Sequence, residues 1–481
     1  MCFKTCRNIY SYSKLCYQIR QYYTYFTNHS EHNLTILKNI TNSIIDCGSI
    51  AIKFCQWITP KLELIYIEEN NLIKGKKPSW LRELEKFYEK CPTHDDQYTK
   101  EVYYEEFNEE FDEIYKIEDI LGSGSIGQVY LVYNKIKERN EVIKILHPNI
   151  KDQIIIFKKL LKFLFYFSFI QNRIRNYFPF DVFQFITDFE DQTNLINEAN
   201  HLLYFYEEYI GNQFLIIPKL YNISSKMLIM SYEPGISFEE SKINDYQKDK
   251  IVNLFHLFIR TNQMFKNYNH GDLHPGNWKL RETNDTNPKL IVYDFGYCWK
   301  INKAKFELIG NTLNDTFEGS NKEDYENCFA NLCDCMYFII INDRYSEDKI
   351  LKEKVQHFLK DKLKDLEPWK FSSSSLLKCT IEFCILEGLL IDTILIQGFI
   401  IAIQAQKLFE KYGLQATDKN EYSDYRVYRE RYLNILTYCK TYHIFPEYSN
   451  YIETKLNVKQ LKVESIFDTI QLDEKIQKLA L

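Results

Sequence analysis

Apolar positions first fall into a clear rhythm at residue 34. Leu34, Leu37, Ile40, Ile44 and Ile45 recur at helical spacing and predict helix across residues 34–90. Pro78-Ser79-Trp80 predicts a fresh helix start, because proline presets the backbone angle there, and Cys91-Pro92-Thr93-His94-Asp95-Asp96 predicts a loop. Across 98–119, Phe107, Phe111 and Ile114 keep helical intervals while Glu101, Glu105, Glu106, Glu109, Glu110, Asp112 and Glu113 fill the remainder, which predicts a helix with a solvated acidic face. The pattern then shortens. Val129–Tyr133 and Glu141–Leu146 are β-branched, aromatic or apolar and predict strands. Helix returns over 150–210, strands over 214–235 and helix over 244–267; beyond Trp299 the chain reads as helix to about 450. Phe383–Ala405, interrupted by Glu387 and Asp392, predicts one buried helix, and 451–481 a helical tail.

The sum is an α+β chain whose 481 residues exceed one small domain. Its expected divisions are a basic leader at 1–33, a helical extension at 34–97, a mixed lobe at 98–230, a helical lobe at 231–450 and a tail at 451–481. The leader carries Lys4, Arg7, Lys14 and Arg20 with no acid before Glu31, which fits either a mitochondrial targeting segment or a disordered basic leader; otherwise the chain reads as cytoplasmic. No stretch is long and apolar enough for a transmembrane helix. The Lys-rich apolar stretch 154–170 packs inside or docks peripherally on a membrane, and packing is the favoured reading. A net charge of −6 implies no nucleic acid partner. Thirteen cysteines, without Cys-x-x-Cys and with Cys333-Asp334-Cys335 as the tightest pair, read as structural thiols in a reducing compartment.

Chemistry concentrates in three stretches. Ile120-Leu121-Gly122-Ser123-Gly124-Ser125-Ile126-Gly127-Gln128-Val129 contains G-x-G-x-x-G. A dinucleotide-binding loop would open into a helix; here a strand follows, so the turn between two strands predicts a phosphate cover, with Gly122, Gly124 and Gly127 admitting backbone N–H groups to ATP. Lys144, on the next strand, is expected to hold the α and β phosphates. A helix glutamate should orient it; Glu190, Glu198, Glu207 and Glu208 are candidates, and Glu198 is favoured by its amphipathic surroundings. His270-Gly271-Asp272-Leu273-His274-Pro275-Gly276-Asn277 has the spacing of a kinase catalytic loop, and Asp294-Phe295-Gly296 follows a short apolar strand. Asp272 is then the catalytic carboxylate facing the acceptor, while Asn277 and Asp294 are the Mg²⁺ ligands. Met230–Gly235 is the expected hinge for adenine, and no Ala-Pro-Glu follows to dock a peptide.

These residues resemble the UbiB-like (aarF-domain) atypical kinase family, associated with coenzyme Q biosynthesis. Ser125-Ile126-Gly127-Gln128-Val129, His270–Asn277 with its specific His-Pro-Gly-Asn, Asp294-Phe295-Gly296 and Lys53-Phe54-Cys55-Gln56 carry the resemblance, over roughly residues 40–310. It implies a two-lobed protein-kinase-like fold with a helical N-terminal extension and a helical C-lobe. Lys53 and Gln56 would contact the pocket from an autoinhibitory extension. It further implies ATP and Mg²⁺ as cofactors and a tie to lipid-linked quinone metabolism, with a small molecule, a lipid or water as the unidentified acceptor. Three departures stand out: glycines replace an alanine-rich loop, Cys55 replaces a glycine, and Gln192-Thr193-Asn194 replaces two acids. A glycine loop approaches phosphate more closely, which favours phosphoryl transfer over a sealed site. The expected function is an ATP-dependent phosphotransferase or ATPase. An ordinary serine/threonine protein kinase and a non-catalytic ATP-responsive scaffold of a quinone-lipid pathway are the alternatives.

Overall fold

The computed structural model describes residues 2–29, 33–66, 78–85, 91, 93–282, 287–302, 306, 325–340, 348–364, 373–398, 400–401, 408 and 425–455. The chain opens with α1 (Cys2–His29), α2 (Leu34–Cys47), α3 (Ser49–Tyr66) and α4 (Ser79–Glu85). Asn33 caps α2 by accepting from the N–H groups of Thr35 and Ile36, and the helix stops at Gly48, whose φ of +94° suits glycine. The predicted stripe is realised in part: Leu37, Ile40 and Ile44 are buried, while Leu34 and Ile45 are exposed. The basic first segment forms a helix whose Tyr12 is buried against Phe157 and whose Lys14 pairs with Asp46.

Next come α5 (Asp96–Phe107) and α6 (Phe111–Ile114), then β1 (Tyr115–Ser123), β2 (Gly127–Asn134) and β3 (Arg139–Leu146). The helix expected over 98–119 therefore breaks at Asn108, which adopts a left-handed φ of +55°, and yields to strand at Tyr115. Its acidic face is largely exposed as expected; Glu105 and Glu106 both pair with Lys226, and of the two only Glu106 is drawn out of solvent. Four helices follow: α7 (Ile150–Phe165), α8 (Ser168–Arg175), α9 (Val182–Gln192) and α10 (Leu195–Tyr209). Strands β4 (Leu215–Ile216), β5 (Leu220–Ile223) and β6 (Met227–Ser231) complete this region.

The main sheet runs β1-β2-β3-β6-β5, all neighbours antiparallel. Two-residue alternation splits β3 between two cores. Ile143 and Ile145 join Tyr130, Val132, Met227 and Ile229 beneath α5 and α6. Val142 and Leu146 face the other way, onto Leu195, Ala199 and Leu202 of α10. Lys144 lies on that second face, so the strand aims its ammonium at α10.

The second lobe contains α11 (Asp245–Thr261), β7 (Asn269–His270), the hairpin β8 (Trp278–Arg281) and β9 (Lys289–Val292), and β10 (Cys298–Trp299). β4 pairs in parallel with β9, and β10 pairs with β7. Beyond lie α12 (Tyr325–Ile340), α13 (Lys349–Lys362), α14 (Ser373–Glu387), α15 (Tyr425–Tyr442) and α16 (Pro446–Lys455). The single helix expected over 383–405 is broken: Gly388 takes a φ of +67°, and Asp392 caps a new helix by accepting from Ile394 and Leu395 N–H. The predicted tail lies outside the described residues beyond Lys455. Among the described residues the cysteines are free thiols, and no helix is long and apolar enough to cross a membrane.

Candidate nucleotide site

Lys144 stands between two carboxylates. Its Nζ lies 2.8 and 2.9 Å from the two oxygens of Glu198, the candidate favoured among four, and 2.8 Å from Oδ1 of Asp294. Lys144 and Glu198 are buried, whereas the Asp294 side chain keeps 43% of its surface accessible. Burial acts to lower the Lys144 pKa, but the two carboxylates outweigh it and hold the amine protonated. Burial likewise pushes Glu198 up to about 7 against the pull of Lys144. Asp294 goes the other way: burial would raise it, yet Lys144 beside it holds the carboxyl well below its ordinary range. Asp294 has a left-handed φ of +53°, a strained setting for a non-glycine residue, and Gly296 N–H donates back to its Oδ1 at 3.2 Å.

Phe295 is buried and packs against Phe205 of α10 in a tilted pair, with centroids 4.9 Å apart, and edge-on to His270 at 5.1 Å. His201, one turn after Glu198, donates from Nδ1 to the Phe295 carbonyl at 2.9 Å. Thus α10 grips the Asp-Phe-Gly loop at two points.

The catalytic loop is fixed from inside. His270 donates from Nε2 to the Tyr293 carbonyl at 2.9 Å and accepts the Asp272 N–H at Nδ1 over 3.2 Å. Buried and with a lowered pKa, it is suited to this neutral, one-donor role. Asn277 Nδ2 donates to the Asp272 carbonyl at 2.8 Å, which leaves its side-chain oxygen as the donor a hard cation would use. The Asp294 carboxylate and the Asn277 amide oxygen are the right donor types for Mg²⁺, with phosphate and water completing the shell. Among the described residues no cluster of three or more His, Cys, Asp or Glu forms a metal site of its own.

The three loop glycines differ. A Cβ on Gly127 would lie 2.3 Å from the Ile145 carbonyl oxygen, whereas nothing lies within 4 Å of one on Gly122. Gly124 N–H is bonded to the Gly127 carbonyl at 2.9 Å. The turn therefore spends the Gly124 donor internally, and Gly127 serves the approach of β2 to β3, a correction to the expectation that all three open N–H groups to phosphate.

The extension reaches the site through α3. Lys53 Nζ lies 3.0 Å from Asp272 Oδ2, and Ser125 Oγ donates to Gln56 Oε1 at 3.1 Å. Both pocket contacts form despite Cys55, Gln192 and Asn194; Cys55 is simply buried in the α3 core face. Burial would raise the Asp272 pKa, and Lys53 with His274 overrides it, leaving the carboxyl below its ordinary value. Direct contacts thus join Lys144 to Glu198 and Asp294, and Asp272 to Lys53 and Asn277, while Gln56 meets the glycine-rich turn at Ser125. Sequence reasoning missed His201, whose i+3 relation to Glu198 was the available signal, and Gln397, whose Nε2 donates to the Gly271 carbonyl at 2.6 Å with no local motif to announce it.

Comparison with known proteins agrees. The family described as "ABC1 atypical kinase-like domain" matches residues 86–330, half of the chain. The chain belongs to the ABC1 atypical kinase-like family. It is 30% identical over 254 residues to the Dictyostelium discoideum protein named "Probable serine/threonine-protein kinase abkC", covering 51% of this chain and 35% of that one. It is 24% identical over 295 residues to "Probable protein kinase UbiB" of Pseudomonas fluorescens, covering 58% and 51%. The chain thus spans a third to a half of the length of these relatives. Among solved structures, the Rv3197–erythromycin complex from Mycobacterium tuberculosis overlaps 74% of this ABC1 chain and 94% of its own, at a TM-score of 0.41 and 15% identity.

Proposed function

We propose that this ABC1-family chain binds Mg²⁺–ATP between its lobes and transfers the γ-phosphoryl group to a small-molecule, lipid or water acceptor. The observation that carries this reading is the simultaneous contact of Lys144 with Glu198 and Asp294 over a buried Phe295. Phosphoryl transfer asks mainly for positioning and charge neutralisation. Lys144 would orient the α and β phosphates, and Asn277 and Asp294 would hold the cation. Mg²⁺ there would neutralise charge on the phosphates. Asp272 would accept the acceptor's proton once Lys53 withdraws. Asp272→Asn should therefore keep nucleotide binding and lose phosphate release by about 100-fold or more, as a general base predicts. Unchanged release of phosphate from ATP would contradict the assignment.

Lys53 on Asp272 disfavours the ordinary protein-kinase reading, because it stands where a peptide hydroxyl would approach. A quinone-pathway connection and a mitochondrial address remain part of the proposal through the family resemblance and the acid-free basic α1. Peripheral membrane contact is supported by the turn between α7 and α8. Ile154, Phe157 and Leu161 pack inside, but Phe163, Tyr166 and Phe169 are exposed, flanked by exposed Lys159 and Lys162.

A further inference from the structure

Behind the glycine-rich turn lies a pair of histidines that no part of the proposed chemistry uses. His94 stands in the stretch joining the extension to α5, and His147 follows β3 directly. Their Nδ1 atoms are 3.0 Å apart, with the rings nearly perpendicular at 86°. His147 Nε2 lies 2.8 Å from the Gly124 carbonyl oxygen and 3.5 Å from Ser123 Oγ. His94 Nε2 lies 3.2 Å from Thr99 Oγ1, itself 3.1 Å from the Tyr130 hydroxyl. The backbone around both rings is tied as well. His94 N–H donates to Gln128 Oε1 at 2.9 Å, and His147 N–H to the Ile126 carbonyl at 2.9 Å.

The proton order follows from chemistry. A carbonyl oxygen only accepts, so His147 Nε2 carries its proton and, in the neutral ring, Nδ1 accepts. His94 must then donate from Nδ1, which leaves its Nε2 as the accepting end, 3.2 Å from Thr99 Oγ1, whose own proton is directed at Tyr130. Each ring is thereby fixed in one neutral tautomer, and the two tautomers are opposite. Holding back the Gly124 carbonyl also fixes the next N–H, because a trans peptide directs the two groups to opposite sides. The Ser125 N–H therefore faces away from His147. Gly124 N–H is already bonded within the turn, so Ser125 carries the next donor along the chain.

We propose that His147, locked in one tautomer by His94, is a positioning residue that draws back the Gly124 carbonyl and so presents the Ser125 N–H to the nucleotide phosphates. This rests on reading the turn as a nucleotide cover. It also couples the extension to the turn, since His94 lies on the segment that leads out of the extension. Protonating His147 at Nδ1 sets N–H against N–H at the 3.0 Å contact and opens the clasp, whereas protonating His94 adds its proton at Nε2, on the Thr99 side. Asp95 and Asp96 from the start of α5 favour that protonation, and the other groups facing the pair are Ser123, Thr99, Gln128, Tyr130 and Tyr98, with Lys226 beside Tyr98. Burial dominates and holds His94 down at about 4, and it lowers His147 too, so both shifts favour the neutral clasp.

The test combines two readouts on the full chain. Nitrogen NMR of ¹⁵N-histidine protein, assigned with His94→Ala and His147→Ala, should show His147 protonated at Nε2 only and His94 at Nδ1 only at pH 7. Titration with Mg²⁺–ATP should show a folded His147→Ala, lower in melting temperature than wild type, binding roughly fivefold to tenfold more weakly, the scale of one lost hydrogen bond. His147→Gln, which keeps a donor near the Nε2 position, should recover most of that loss. His94→Ala should move the acid limb of the binding profile to higher pH, because His147 Nδ1 is then open to protonation. Either histidine in the opposite tautomer or charged at pH 7 would overturn the clasp. So would a folded His147→Ala that binds Mg²⁺–ATP as wild type does. Wild type failing to bind Mg²⁺–ATP would sink the nucleotide reading and the phosphate role with it, while the nitrogen shifts would still decide whether the clasp exists.

Discussion

Gly127 and Gly122 stand five residues apart in one turn and answer to different constraints. A side chain at Gly127 collides with the β3 backbone; one at Gly122 meets open space. Gly127→Ala should destabilise the fold by about 1–3 kcal/mol, the usual cost of overpacking, whereas Gly122→Ala should change stability by about 0.5 kcal/mol or less and act only on nucleotide affinity. Chemical unfolding of both variants checks this, and equal losses would refute the distinction. The G-x-G-x-x-G spacing announced the turn but not this division, because the Gly127 clash is with Ile145, on the neighbouring strand. Asp272, Asn277 and Asp294 were legible because their spacing is local. Glu198 was legible only as one of four, since its choice depends on how α10 packs against β3.

Helix α3 carries a second lysine beyond Lys53. Lys61 is 1% exposed, donates to the Trp57 carbonyl at 3.0 Å and lies 4.0 Å from the Trp57 ring centre. Burial pulls its pKa down to about 7, with Asp188 and Asp272 partly opposing. Its folded value lies below its unfolded one, so between pH 7 and about 10 the unfolded chain binds more protons and stability rises with pH. Lys61→Met should stabilise the protein by about 1–4 kcal/mol at pH 7, and its advantage over wild type should shrink as pH rises toward about 10. Melting both proteins across that range decides it; a pH-independent gap would contradict the assignment. Helices α7 and α8 give the other prediction of this scale. Phe163→Ser with Phe169→Ser should abolish cosedimentation with anionic phospholipid vesicles while leaving the melting temperature within about 2 °C, as exposed substitutions do. Retained binding would remove the turn from any membrane role. The sequence posed packing or docking as alternatives for 154–170; one helical face does the first and the turn is free for the second. The helix over 383–405 was misread because apolar content persists through Gly388, where backbone geometry, not polarity, ends the element.

Across the whole molecule, two lobes and an extension converge on one cleft: β3 and α10 supply Lys144 and Glu198, the second lobe supplies Asp272, Asn277 and Asp294, and α3 supplies Lys53 and Gln56. The two-lobed order was readable because strand and helix periods change where the lobes change. The seating of α3 on Asp272 was not readable from residue pattern, because it pairs positions 219 apart in the chain. The central claim is that this cleft takes Mg²⁺–ATP, and it is tested most directly by the melting temperature of wild type and Asp294→Ala with ATP, with and without Mg²⁺. The account predicts a Mg²⁺-dependent rise in wild type, corresponding to about 2.7 kcal/mol at a hundredfold excess over Kd, and its loss in the variant. A folded wild type that shows no rise, or an Asp294→Ala protein that shows the same rise, would contradict it.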